Sequence, residues 1–430
     1  MKKYATYKPS GVEWLGEVPA HWQVLSLRRL FNVRSGDQTT TEDLIDEGFP
    51  VFGGNGFRGY YPDWNTDANS ILIGRYGALC GNVRVVREKV WATEHAFRVF
   101  PLMPFNVDFL AYSLESINLN QFSARAAQPG LNATLVRENT CALPPLPEQR
   151  AIAAFLDERT AHLDGLIRRK EDLLKLLAEQ RAALITRTVT RGLNPAAPLQ
   201  DPGVPWLGQV PAHWQVKRLK YMLDDIEQGW SPQCDNQPAE AGEWGVLKVG
   251  CVNGDAFDPM ENKRLPADLD PLLKYEVQPG DVLMSRANTK ELVGSTAIVR
   301  ELPTRLMLCD KLYRLQVPAS KVDKEFLVYM LRSKVARVQY ELGASGASGS
   351  MQNIGQDTVL NLELVFPPLE EQVNIAAAIR HGNERLDKMA DITTREIEKL
   401  REYRAALITA AVTGRIDVRA AVAVPELVEA

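Results

Sequence analysis

"GVEWLGEVPAHWQV" occupies residues 11–24, and "GVPWLGQVPAHWQV" occupies residues 203–216. The two stretches differ only at Glu13/Pro205 and Glu17/Gln209, 192 positions apart. Further pairs follow in the same order. "ILIGR" (71–75) parallels "VLMSR" (282–286) at an offset of 211, "AFRV" (96–99) parallels "LYRL" (312–315) at 216, and "FLAYSL" (109–114) parallels "FLVYML" (326–331) at 217. "PPLPEQRAIAAFL" from Pro144 returns as "PPLEEQVNIAAAI" from Pro367, and "RAALITRTVT" from Arg181 as "RAALITAAVT" from Arg404, both at 223. A climbing offset with unbroken order is the mark of a duplicated unit whose second copy gained 31 residues in its loops.

Each unit reads as two parts. The first mixes short apolar strands, Gly-rich turns and a helix at the "FLxYxL" motif. The second is one long helix of about 44 residues, roughly 65 Å at 1.5 Å per residue. Pro147 suits a first helical turn, Glu148 and Glu371 suit the positive end of the dipole, and Gly192 and Gly414 suit C-caps. Leu156, Leu163, Leu177 and Leu184 mark one seam of the first helix, with Leu166 and Leu173 on a second line. Lys170 and Gln180 interrupt these lines. Ile379, Leu386, Leu400 and Leu407 fall at matching places in the second helix. A sustained seven-residue beat buries a stripe against another helix. Gly165 and Gly382, each costing about 1 kcal/mol against alanine, mark places for a local break.

The expected fold is therefore α+β. Two α/β recognition domains are related by pseudo-two-fold symmetry and separated by two long antiparallel helices forming an intramolecular coiled coil. The expected boundaries are 1–146 and 193–368 for the domains, 147–192 and 369–416 for the helices, and 417–430 for a tail. A dimer made within one chain matches a target with approximate two-fold symmetry and separated half-sites, as duplex DNA is. A symmetric protein partner fits the same geometry.

Composition narrows the class. Hydrophobic residues make up 45% of 430, as in soluble globular proteins, and no apolar run reaches membrane-spanning length. "MKKYATYKPS" has lysines but no apolar stretch behind them, unlike a signal peptide. Five scattered cysteines (80, 141, 234, 251, 309) fit reduced thiols in a cytoplasm rather than a zinc or redox site. A net charge of −4 argues against gripping nucleic acid by bulk charge, so any such surface is local or completed by a partner.

Catalytic motifs are hard to find. "FGGNGFRG" (52–59) contains F-x-G-x-G and G-x-G-x-x-G, but Pro62 and turn formers follow where a cofactor loop needs a helix. A loop carrying Asn55, Arg58, Tyr60 and Tyr61 suits base edges, phosphates and stacking instead. Neither prolyl pair follows an Asn or Asp, as a base-amine methyltransferase loop requires; Leu143 and Phe366 stand there. "ENK" (261–263) is an isolated match to part of a nuclease motif, and there is no P-loop. His21 and His213, inside the repeated "PAHW", read as parts of a structural corner. Arg75 and Arg286 each end a strand and enter a Gly-bearing loop, where a guanidinium can face guanine, a phosphate or an internal carboxylate. Asn288 and Lys290 extend the second loop, and Gln352 and Asn353 follow a Gly/Ser segment whose counterpart is 124–132.

With these residues in place the chain resembles the specificity subunit of type I restriction–modification systems. "GVEWLGEVPAHW", "GVPWLGQVPAHW", "PPLPEQ" and "PPLEEQ", each followed by a long helix ending near "ALITxxVT", carry the resemblance over about residues 8–418. "IGRYGALCGNV" and "MQNIG" before "PPLEEQ" are similar to target-recognition segments of that family. The resemblance implies two target-recognition domains, each reading one half of a bipartite DNA sequence, with the helices fixing the spacer. It implies no catalysis and no cofactor in this chain. Two methyltransferase subunits would methylate adenine using S-adenosylmethionine, and restriction subunits would translocate and cut double-stranded DNA using ATP and Mg2+. A cytoplasmic location with no membrane contact follows. A DNA methyltransferase or nuclease acting alone, and a coiled-coil protein adaptor that ignores DNA, are the rival readings.

Overall fold

The structure, a computed structural model, describes residues 2–77, 79–123, 130–345 and 351–419. Parts of the two Gly-bearing segments, 124–129 and 346–350, and the tail from 420 lie outside the described residues. The chain divides into two compact units, Met1–Glu171 with Thr394–Ala430, and Asp172–Thr393. The division falls inside both long helices, which run unbroken over Leu146–Arg191 and Leu369–Val412.

The first unit holds an antiparallel sheet in the order Phe31–Ser35, Ala96–Pro101, Ser70–Gly74, Val83–Val86. Beside it, hairpin Phe49–Gly53/Gly56–Tyr61 pairs in parallel with Trp91–Ala92. The second unit repeats both sheets. Its four strands run Asp225–Gln228, Leu312–Gln316, Val282–Ser285, Thr296–Ile298, and its three are Asn262–Arg264, Trp244–Leu247 and Arg305–Met307. The "ILIGR" and "VLMSR" strands read as continuous apolar runs because both of their faces are covered. Ile71 and Ile73 enter the main core while Leu72 enters a smaller one with Val86, Val90 and Ala92. Val282 and Met284 divide from Leu283 in the same way.

The "FLxYxL" helices, Val107–Ile117 and Lys324–Arg332, start on side-chain caps. Asn106 Oδ1 accepts from Phe109 N at 2.9 Å, and Asp323 Oδ1 from Phe326 N at 2.8 Å. A repeated glutamine holds each cap. Gln149 accepts from Asn106 N (2.8 Å) and donates to Pro144 O (2.9 Å). Gln372 accepts from Asp323 N and donates to Pro367 O, both at 2.9 Å.

The repeated "PAHW" forms a socket at which one long helix begins and the other ends. In the first unit His21 Nε2 lies 2.9 Å from Glu148 Oε2, in the first turn of the first long helix. Gly414, just past the second long helix at φ 75°, packs so close that a Cβ would lie 2.3 Å from Pro19 Cδ. In the second unit His213 Nε2 lies 2.9 Å from Glu371 Oε2, and Gly192, at φ 71°, sits on Trp214. Both glycines take the left-handed conformation that ends a helix at low steric cost. The carboxylates complement the helix dipole and the imidazoles hold them in place.

Start and end of the two long helices share a core within each unit. Ile152, Leu156 and Leu163 pack with Leu407, Ile408 and Ala411 in the first. Ile185 and Val189 share the core of the second with Ile375 and Ile379. The seam at Leu156, Leu163 and Leu177 is buried, but Leu173 is exposed and Leu166 only half-buried. The companion line runs one residue later, through buried Thr160 and Ile167 to Arg181. It lies four residues after the first line, where helical side chains share a face. Polar residues on these lines pair across the helices: Lys170 Nζ–Glu396 Oε2 at 2.6 Å, Arg404 Nε–Asp164 Oδ1 at 2.9 Å, and Arg181 with Asp387. The expected glycine breaks are absent. Gly382 instead admits Leu184, whose Cδ2 would lie 2.6 Å from an added Cβ. Among the described residues, no helix is long and apolar enough to cross a membrane.

Candidate nucleic-acid interface

The glycine-rich stretch at 52–59 is a tight hairpin turn. Gly53 ends one strand, Gly56 begins the next, and Asn55 stands exposed at the tip. The chain continues from this turn as strand Gly56–Tyr61, with no helix opening at it among the described residues. Gly54 lies against the neighbouring loops, where a Cβ would be 2.7 Å from Tyr76 O and 2.8 Å from His95 O. That close approach shapes an open cleft of about 380 Å³ lined by Asn55, Phe57, Arg58, Tyr76, Gly77 and His95, with glycines 53, 54 and 56.

The residues expected at the site divide by availability. Arg58 is exposed and makes no ion pair among the described residues. Tyr60 meets Phe57 edge-on at 5.2 Å, and the Tyr61 ring lies 4.2 Å from that of Trp91, so both brace the hairpin. Arg75 turns inward. Its Nη1 donates to Ser35 Oγ at 2.6 Å, and its guanidinium stacks on Tyr76 (4.5 Å) and Phe97 (5.3 Å).

In the second unit Arg286 reaches Asp310 O at 3.4 Å. Asn288, only 7% exposed, donates to Asn253 Oδ1 at 2.7 Å and accepts from Thr289 N at 2.9 Å. Strand Ala287–Asn288 pairs with Gln352–Asn353, leaving both of those residues half-buried. Lys290 is exposed. Hairpin and strand loop meet in both units, but the first contact is open around Gly77 and the second is closed by two asparagines.

Sequence reading passed over Tyr76, His95, Asn253 and Lys311. A signal for two of them was present: His95 stands next to "AFRV" and Lys311 immediately before "LYRL", each in the repeat. Backbone bonds put them in register. Arg75 N donates to His95 O, and Arg286 N to Lys311 O, both at 2.8 Å.

Elsewhere, equivalent charges are spent internally. Arg87 pairs with Asp108 and Arg300 with Glu325, tying a strand to the "FLxYxL" helix in each unit. Arg404 pairs with Glu115 in the first unit. In the second, Arg332 replaces that glutamate, and Asp255 takes over the pairing with Arg181. Burial pushes the Cys141 thiol up to about 12 and that of Cys309 to about 11, so both stay protonated and inert at neutral pH.

Both units thus share one mixed α/β frame and differ in the polar loops at equivalent strand ends. The family model described as type I restriction modification DNA specificity domain matches residues 19–176 and 211–402, and the chain belongs to that family. It is 28% identical over 209 residues to the type I restriction enzyme EcoEI specificity subunit of Escherichia coli, covering 48% of this chain and 35% of that protein. It is 37% identical over 138 residues to the EcoprrI specificity subunit of Escherichia coli, covering 31% and 34%. The match thus spans about a third of the length of these two relatives. A chain solved in work on complex assembly and conformational transition of the type I R-M system shares the fold over 93% of this chain and 99% of its own. Its TM-score is 0.67 at 17% identity.

Proposed function

We propose that this chain is the sequence-reading subunit of a type I restriction–modification complex. Each unit carries a recognition domain that reads one half of a bipartite duplex sequence. The two long helices form an antiparallel coiled coil that sets the spacer and relates the domains by a pseudo-two-fold axis. Two methyltransferase subunits supply adenine methylation with S-adenosylmethionine, and restriction subunits supply ATP- and Mg2+-dependent cleavage. This chain contributes no catalysis. One observation carries the reading: the same histidine–glutamate socket and glutamine-held cap occur in both units, while the loops at the ends of equivalent strands differ. A constant frame with divergent loops is what two half-site readers docking on like partners require.

The test is modular exchange. Residues 25–143 are replaced by those of another recognition domain, the subunit is combined with its methyltransferase partners, and methylated adenines are mapped. One half of the recognised sequence changes and the other stays. Adding one turn near Leu174 changes the spacer and leaves both halves. A change in the second half after the exchange, or in either half after the insertion, defeats the reading, as does methylation by this chain alone.

A further inference from the structure

We propose that His95 in the first unit and Lys311 in the second are equivalent base-edge contacts that set the preference of their half-sites for a purine; this rests on the reading that both units recognise duplex DNA. Both residues begin the loop's return to the central strand, fixed by the same 2.8 Å bond from the arginine at 75 or 286. Each follows an acid, Glu94 or Asp310, so the local frame is alike and only the tip chemistry differs.

The surroundings divide the two. His95 meets Tyr76 edge-on at 5.6 Å, and its Nε2 lies 3.2 Å from Glu94 Oε1. Across the cleft stand the exposed Asn55 amide and the Arg58 guanidinium. Gly77 lines the same cleft, with the Asn55 amide against it: a Cβ there would touch Asn55 Oδ1 at 3.4 Å. The amide offers a donor and an acceptor side by side, the pattern that adenine N6/N7 answers in the major groove, and the imidazole, its Nε2 on Glu94, adds its second ring nitrogen. In the second unit the Asn288–Asn253 bond fills the equivalent gap. Lys311, whose carbonyl accepts from Arg286 N, is exposed and makes no ion pair among the described residues. An ammonium offers only donors, which guanine O6 and N7 accept. Arg75 and Arg286, bonded inward, position these residues rather than reading bases themselves.

The experiment uses the full-length subunit in complex with its methyltransferase partners. Methylated adenines are mapped in a host expressing the unaltered complex, His95→Ala or Lys311→Ala. His95→Ala relaxes one base pair in the half assigned to the first unit by the 25–143 exchange, with discrimination there falling about 5- to 150-fold. The other half stays unchanged. Lys311→Ala does the reverse. His95→Gln, which keeps a donor and an acceptor, and Lys311→Met, which keeps the stem, supply the same comparison should an alanine variant not accumulate; His95→Gln retains more discrimination than Lys311→Met. Unchanged patterns in both variants overturn the inference, and so does equal relaxation of both halves by a single change. An unaltered complex that yields no bipartite pattern overturns the underlying function instead.

Discussion

The loop at 75–77 and its counterpart at 286–288 leave equivalent strands and begin with the same inward-turned arginine, yet they end differently. The first stops at Gly77 beside an open cleft, and the second closes through Asn288 onto Asn253. At the histidine sockets the pairing is the same in both units. His21 and His213 hold equivalent glutamates at the same 2.9 Å, and Gln149 and Gln372 hold equivalent caps. The frame is fixed by bonds to backbone groups and to helix ends, whose demands do not change with loop sequence. Loops tipped by side chains facing outward meet no such demand, so substitutions there leave the fold intact.

The largest test of frame equivalence is the tryptophan in each socket. Trp22 is fully buried and Trp214 is 3% exposed. Truncation to alanine costs about 3–5 kcal/mol in either unit through lost burial and the cavity left behind. The phenylalanine variants sharpen the comparison. Trp214 Nε1 donates to Glu371 Oε2 at 3.1 Å, whereas Trp22 Nε1 has no acceptor among the described residues. Trp214→Phe therefore lowers the melting temperature more than Trp22→Phe. The reverse order would mean that the Trp214–Glu371 bond adds nothing to the second socket.

Next in size are the glutamines, 2% exposed at Gln149 and 1% at Gln372. Replacing either with alanine strands a buried proline carbonyl and the N–H of a helix cap, at about 1–3 kcal/mol per site. Denaturant titration of the two variants gives matching losses if the frame is one design used twice. A loss confined to one unit breaks that equivalence.

Much of this frame was legible in the sequence because the same letters recur at fixed offsets, and repetition reports architecture without any account of energetics. The long helices, the apolar strands and the glycine ends followed from periodicity and backbone freedom. The exact face of each helix did not. Leu166 and Leu173 look like seam residues, but the stripe passes through Thr160 and Arg181, whose polar groups are satisfied by Leu156 O and, for Arg181, by Asp387 across the helices and Asp255 in a loop. The site was less legible still. Arg75 and Asn288 have the chemistry of readers, and the structure spends both on internal contacts. His95, its Nε2 on Glu94, and the exposed Lys311 are single letters whose equivalence appears only when backbone pairing puts them in register.

The smallest effect separates two glycines inside the helices. An alanine at Gly165 meets nothing within 4 Å, so Gly165→Ala gains the full helix-propensity difference of about 1 kcal/mol. Calorimetry of the intact chain reads this as a rise of about 2–4 °C for a unit of this size. At Gly382 the new methyl would stand 2.6 Å from Leu184 Cδ2. Leu184 must rotate out of the seam to admit it, and overpacking of that kind costs about 1–3 kcal/mol, which cancels or exceeds the propensity gain. Gly382→Ala therefore leaves the melting temperature level or lowers it. An equal rise for both variants would place Leu184 away from Gly382 and remove the close helix approach on which the seam of the second unit is built.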